Sequence, residues 1–326
     1  MRMLSRRGFA VGAGAVAGTL ALPAVVRGQA GYPSEDVHFV SGSVAGSGGD
    51  VIVRFFAEQM RPLMGRTVVV DNKVGAMSNI AIEHTVRSKP DGHTVLINSG
   101  STLAANMKLF RKPPFDTARD LQMVATLSRS TMMLAVRADA PWKDVKELTA
   151  AMKEKGDKAT YAYATSIAQV IGALYREKAG LKAVEVAYKS GADFVNDLAS
   201  GNVDYAIADH VQATGLARAG RMRLLAVGSS ERLKVTPDIP TFAEFGYPID
   251  IRTWWGATVP AATPKPVVQQ LSGWFNKVVT SEECRRFFAG IGTDPWATDP
   301  DFAQDYLRKE IVDWEGHMKV AGIAPQ

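Results

Sequence analysis

The feature that most constrains this chain is an alternation of two periodicities. Short β-branched or apolar runs at 37–40, 68–70 and 94–98 alternate with stretches of helical period at 51–64 and 80–86. A strand covered on both faces reads as a continuous apolar run, whereas a helix lying on a sheet shows one apolar stripe. In 51–64 that stripe is Ile52, Phe55, Phe56, Met60, Leu63 and Met64, spaced by three and four. The alternation predicts an α/β fold, a parallel sheet covered by helices. From Thr131 the pattern restarts, with strands at 132–136, 160–163, 184–187, 205–208 and 224–227 and helices at 145–152, 167–178, 194–199 and 211–219 between them. A strand at 253–260 and two helical segments close the chain, the last striped by Tyr306, Leu307, Ile311, Trp314 and Met318. A chain of 326 residues exceeds what one hydrophobic core organises. Two α/β domains are therefore expected, 31–130 with 253–326 and 131–252, joined by crossings near Ser130 and Arg252.

The first thirty residues belong to neither domain. Met1 to Arg7 is basic, 8–26 is apolar and rich in Ala and Gly, and Gly28 and Ala30 suit a cleavage site. Ser5-Arg6-Arg7-Gly8-Phe9 resembles the twin-arginine export signature, the alternative being an ordinary secretory leader with adjacent arginines. Cleavage near Ala30 removes Arg2, Arg6, Arg7 and Arg27, leaving 34 of the 38 basic residues against 33 acidic, a net charge of +1. Such a surface has no general attraction for nucleic acid or anionic lipid, and both are excluded as partners. No later apolar run approaches the ~20 residues needed to span a bilayer.

Machinery for catalysis is missing. Cys284 is the only cysteine and sits in an acidic then basic helical start, with no His nearby. His38, His84, His93, His210 and His317 are scattered, with no pair at metal-ligand spacing, and no Gly-x-Ser-x-Gly elbow follows a strand. Neither a metal nor a cofactor is expected. The segment from Ser41 to Asp50 is the most informative. Its glycines permit positive φ and close approach, and the following helix points free N–H groups and a positive dipole at the same space. That describes either an anion site or a tight strand-to-helix turn whose Ser and Asp side chains cap the helix. It is not a phosphate-binding loop, since no lysine occurs between Arg27 and Lys73, nor a dinucleotide fingerprint, since Gly46-Ser47-Gly48 continues Gly49-Asp50-Val51.

Across the mature chain the motifs resemble, in order, those of the Bug family of substrate-binding proteins of tripartite tricarboxylate transporters. The glycine loop ending in Asp50 is followed by Val70-Asp71-Asn72, Gly75-Ala76, Pro90-Asp91-Gly92-His93-Thr94 and Phe115-Asp116. Beyond these stand Tyr188-Lys189, Gly191-Ala192, Gly201-Asn202-Val203-Asp204, Arg218-Ala219-Gly220, Pro237-Asp238-Ile239-Pro240-Thr241 and Ala321-Gly322-Ile323. The resemblance implies a type II periplasmic-binding-protein fold, two α/β domains with a ligand cleft between them. Carried over by position, it implies ligand contacts at Ser43, Val44, Ala45, Gly46, Ser47, Gly48, Gly49 and Asp50, and at Ser99, Gly100, Ser101 and Thr102. On the second domain it implies Ala164, Thr165, Ser166, Tyr188 and Asp209. Backbone N–H groups, hydroxyls and water would hold a carboxylate there. Asp50 also fits a first-turn helix acid, and Asp209 the cap of the helix from Val211. Gly42, Ser43, Ser47 and His210 depart from the family pattern where ligand identity is set.

The function so implied is a monomeric, periplasmic solute-binding protein that captures a small organic carboxylate and delivers it to membrane transporter subunits. The alternatives are a sensory binding protein using the same cleft and an exported enzyme acting on a small acid.

Overall fold

The computed structural model describes residues 31–188 and 191–325; the expected leader, 1–30, lies outside the described residues. The chain runs β1 (Val37–Ser41), α1 (Gly48–Met64), β2 (Val68–Asn72), α2 (Asn79–Val86), β3 (Thr94–Ser99), α3 (Gly100–Leu109), α4 (Thr117–Asp120) and β4 (Leu121–Ser130). Next come β5 (Met132–Arg137), α5 (Val145–Lys155), β6 (Thr160–Tyr163), α6 (Ser166–Ala179), β7 (Val184–Ala187), α7 (Gly191–Ser200), β8 (Tyr205–Asp209), α8 (His210–Arg218) and β9 (Met222–Val227). Then follow β10 (Thr253–Pro260), α9 (Lys265–Val279), α10 (Glu282–Gly290), β11 (Asp294–Pro295) and α11 (Pro300–Ala321).

Two sheets result, a six-stranded one in the order β11-β4-β10-β3-β1-β2 and a five-stranded one in the order β7-β6-β8-β5-β9. The expectation of parallel sheets is corrected: β2-β1-β3 and β7-β6-β8 are parallel, but β10 lies antiparallel to β3 and β4, and β5 antiparallel to β8 and β9. The register gives the reason. Met132, the first residue of β5, pairs with Asp209, the last of β8, and Trp255 near the start of β10 pairs with Ser99, the last of β3. A strand arriving from the other lobe enters where the parallel strands end, so it must run against them. A second correction concerns the C-terminal segment, which holds three helices, α9 to α11, where two were expected.

The crossing strands lie side by side. Only Thr131 separates β4 from β5, and its buried hydroxyl donates to the Ile251 carbonyl at 2.7 Å, just before β10. Thr253 pairs with Ser130, and the Ser101 hydroxyl donates to the Arg252 carbonyl at 3.3 Å. Both connections are therefore hydrogen-bonded to their surroundings within a few residues. Farther along, the buried Asp294 carboxylate accepts from the N–H groups of Lys234 and Val235 at 3.0 and 3.1 Å, tying β11 to the segment after β9.

The amphipathic reading of α1 holds at the level of packing. Ile52, Phe56, Met60 and Met64 are buried, and Phe56 meets Phe275 of α9 and Phe288 of α10. Cys284 is buried in α10, where burial pushes its thiol up to about 12, so it is a core residue that stays protonated.

Candidate functional site

β4 runs on into β5 through Thr131, and the start of α1, which follows β1, meets the end of β8 in one region. That is where open α/β sheets bind ligands. A cavity of 450 Å³ lies there, lined by Gly48, Gly49, Val51 and Ile52 of α1, Ser128 and Ser130 of β4, and Thr253 and Trp255 of β10, with Ile291 and Thr293. The five-stranded sheet contributes Asp209 and Val211.

The glycine loop is built to present the start of α1. Gly46 adopts φ 80°, a left-handed conformation that side chains disfavour, and the Ser47 N–H donates to the Val44 carbonyl at 3.0 Å. Ser47 caps α1 by accepting from the Asp50 N–H, and the Ser43 N–H donates to the Ser41 hydroxyl. Asp50 is buried, and its carboxylate accepts from the Gly46 N–H, Arg54 Nε and Asn72 Nδ2, each at 2.8 Å. Burial alone would raise its pKa, but those hydrogen bonds and the Arg54 charge outweigh it and hold the carboxyl at about 2. Asp50 thus fastens the loop to β2. With Asp50 N–H engaged by Ser47 and no intrahelical acceptor in the first turn, the N–H groups of Gly48 and Gly49 remain at the cavity wall. Gly49 has a second role: a Cβ there would stand 2.2 Å from Ser43 Oγ and 2.8 Å from Trp255 Cη2, whereas Gly48 has open space. Val44 and Ala45 are exposed on the loop.

On the opposite lobe Asp209 caps α8, its Oδ1 accepting from the N–H groups of Val211 at 2.9 Å and Gln212 at 3.3 Å, while the residue itself is exposed and lines the cavity. Of the other expected positions, Ser99 caps α3 by accepting from the Thr102 N–H, and Gly100 is pressed against the Trp254 ring, leaving no room for a side chain. Ala164 and Thr165 follow β6, with Thr165 capping α6 before Ser166. Tyr188 follows β7, donates its hydroxyl to Asp197 at 2.7 Å and packs edge-on against Phe194. These positions share the rim of strand ends but do not line the 450 Å³ cavity, which joins Gly48 and Gly49 to Asp209.

Sequence reasoning missed Ser128, Ser130, Thr253 and Trp255. Pairing Ser130 with Thr253 and Ser128 with Trp255 puts all four on one face, so Trp254 points the other way into the core. The period-two spacing of Ser128 and Ser130, on the face opposite Arg129, was the available signal. Ser128 is wholly buried and Ser130 is 9% exposed, and neither hydroxyl has a protein partner.

A larger cavity, 770 Å³, is lined by Glu35, His38, Asp71, Lys73, His84 and neighbours, all from the first half of the six-stranded region. Its charges pair locally, His38 with Asp71 at 2.8 Å, and the second sheet contributes nothing to it. Within it Glu35, Asp91 and His93 place ligand-type atoms within 4.8 Å of one another. His93 Nε2 accepts from the Ser34 N–H at 3.1 Å and Nδ1 stands 3.2 Å from Asp91.

Comparison with known proteins identifies the family and the fold. Residues 52–319 match the tripartite tricarboxylate transporter family receptor model. The chain belongs to that family. A Pseudomonas sp. strain P51 protein is 29% identical over 87% of this chain and 85% of its own length. BugT of Bordetella pertussis is 27% identical over 89% and 90%. Among solved structures, an R. palustris protein with adipate superposes with TM-score 0.75 at 27% identity, covering 90% of this chain and all of that one. The periplasmic binding protein BugD gives 0.71 at 28% identity, with 90% and 100% covered. MatC from Rhodopseudomonas palustris with bound malate gives 0.69 at 25% identity, with 88% and 99% covered.

Proposed function

We propose that this protein is an extracytoplasmic receptor that captures a small organic carboxylate between two lobes and delivers it, as a monomer, to the membrane subunits of a tripartite tricarboxylate-type transporter. The observation that carries this reading is the 450 Å³ cavity, lined by Gly48 and Gly49 at the start of α1, by Ser128 and Ser130, whose buried hydroxyls have no protein partner, and by Asp209 from the other sheet. Donors without a cation suit a carboxylate held by hydrogen bonds, and relatives solved with adipate and malate bind that chemical class. Binding is favoured over catalysis because, among the described lining residues, no His, Cys or Lys stands beside Ser128 or Ser130 to activate it, and Asp209 is engaged as the cap of α8. The lobes are read as 31–130 with 253–326 and as 131–252. Residues 1–30 are read as a cleaved twin-arginine leader that places the mature chain in the periplasm; Arg6→Lys with Arg7→Lys should leave precursor in the cytoplasm.

A thermal-shift screen tests the reading. A ligand at 100 times its Kd adds about 2.7 kcal/mol to stability. Carboxylic acids should raise the melting temperature and their primary amides should not. A screen in which no carboxylate binds, by melting shift or by calorimetry, overturns it.

A further inference from the structure

Resting on the reading that the cleft is a carboxylate site, we infer that the ligand is a monocarboxylate with an apolar body and a hydrogen-bond donor that meets Asp209, rather than a di- or tricarboxylate. The lining divides into three parts. One is the anion end, the Gly48 and Gly49 N–H groups with the buried, unpartnered hydroxyls of Ser128 and Ser130. The second is apolar: Trp255, Ile52 and Val51 from the six-stranded side face Val211 across the cleft. Val51 and Val211 are each 43% exposed, in the first turns of α1 and α8. Large aliphatic side chains left in water on both walls of one cavity gain most from a ligand that covers them with carbon.

The third part is the charge. Among the described residues, the lining contains no Lys, Arg or His, and its one ionisable side chain is Asp209. Asp209 Oδ1 is used by the α8 cap, while Oδ2 makes none of the described hydrogen bonds. A second carboxylate on the ligand would lose its water, find no cation among the described lining residues and meet the like charge of Asp209. An ammonium or hydroxyl in the same place would be accepted by Oδ2. Adipate and malate, bound by relatives, are thus the wrong shape of charge for this cleft.

Calorimetry on the full mature chain with matched skeletons tests this. The panel is 4-methylvalerate, 2-hydroxy-4-methylvalerate and leucine, then 3-phenylpropionate, 3-phenyllactate and phenylalanine, then malate and adipate. The donor-bearing apolar acids should bind about tenfold or more tighter than the dicarboxylates, and the hydroxy and amino arms identify which donor Asp209 takes. Asp209→Asn keeps the helix cap, because Asn caps as well as Asp. It should abolish the preference of the better donor-bearing acid over its unsubstituted parent, read as the ratio of their two affinities in the same variant. Ser128→Ala with Ser130→Ala should weaken every acid alike. If malate or adipate binds tighter than all six apolar acids, or if Asp209→Asn leaves the donor preference intact, the inference is wrong while the carboxylate reading stands. If no acid of either kind binds, the carboxylate reading itself has failed.

Discussion

Gly48 and Gly49 are adjacent and chemically identical, yet their surroundings assign them opposite sensitivities. A Cβ on Gly48 meets nothing within 4 Å and points into a cavity-lining position, whereas one on Gly49 collides with Ser43 and Trp255. Gly48→Val should therefore fold normally and lose carboxylate affinity by about tenfold or more. Gly49→Ala should lose about 1–3 kcal/mol of stability through overpacking, as read by urea denaturation. Equal stability of the two variants would contradict the placement of Trp255. Asp50 yields a pH prediction. Its folded pKa of about 2 lies below the ordinary 3.8, so its contribution to stability is complete above pH 4 and is lost as pH falls toward 2. Asp50→Asn should be less stable than the parent at neutral pH, with the difference vanishing near pH 2 in denaturation curves. The sequence offered both readings of Asp50, helix acid and ligand contact; the three hydrogen bonds that fasten it to Gly46, Arg54 and Asn72 arise from β2 lying beside the loop, which no local pattern reveals.

At the scale of elements, α8 is the sharpest case, because its first residue points away from the cleft that its cap faces. His210 is buried against Gly292, whose φ of 67° keeps a side chain out of the way, and its Nε2 stands 3.5 Å from Thr236 Oγ1. Burial, then the nearby Arg218 charge, pushes its pKa down to about 4. The unfolded chain takes up the proton first, so stability is complete above pH 6.5 and is lost as pH falls through that value toward 4. The loss amounts to up to about 3 kcal/mol. His210→Gln, neutral throughout, should show a flatter stability profile between pH 6.5 and 4; an unchanged slope would assign the loss to other groups. Legibility at this scale depended on isolation. Strands β6, β7 and β10 stand where their apolar runs put them, each flanked by turn or helix signals. The long β4 was hidden because its polar positions at Ser128 and Ser130 interrupt the apolar run next to β5.

For the whole molecule, the expectation is that the two adjacent crossings let one lobe rotate against the other near the Thr131–Ile251 hydrogen bond. A carboxylate that met Gly48 and Gly49 together with Asp209 and Val211 would bind the approached state better, and that difference would drive closure. Small-angle scattering should show a smaller radius of gyration with a bound acid. Tight binding with unchanged scattering, and fixed distances across the cleft by single-molecule measurement, would leave a rigid pocket instead. The Asp294 contacts to Lys234 and Val235 lie between the same lobes, so closure must preserve them or exchange them. The sequence by itself determined what is encoded within a few residues: the order of strands and helices, the helix caps, the glycine loop, and a colinear series of motifs that identifies the family. Tertiary structure decided which of these meet. Gly48, Gly49, Val51, Ile52, Ser128, Ser130, Asp209, Val211, Thr253, Trp255, Ile291 and Thr293 line one cavity, with β4 and β10 contributing to it through their pairing register. Periodicity is a local property and register is a long-range one, so the first could be read along the chain and the second only in the fold.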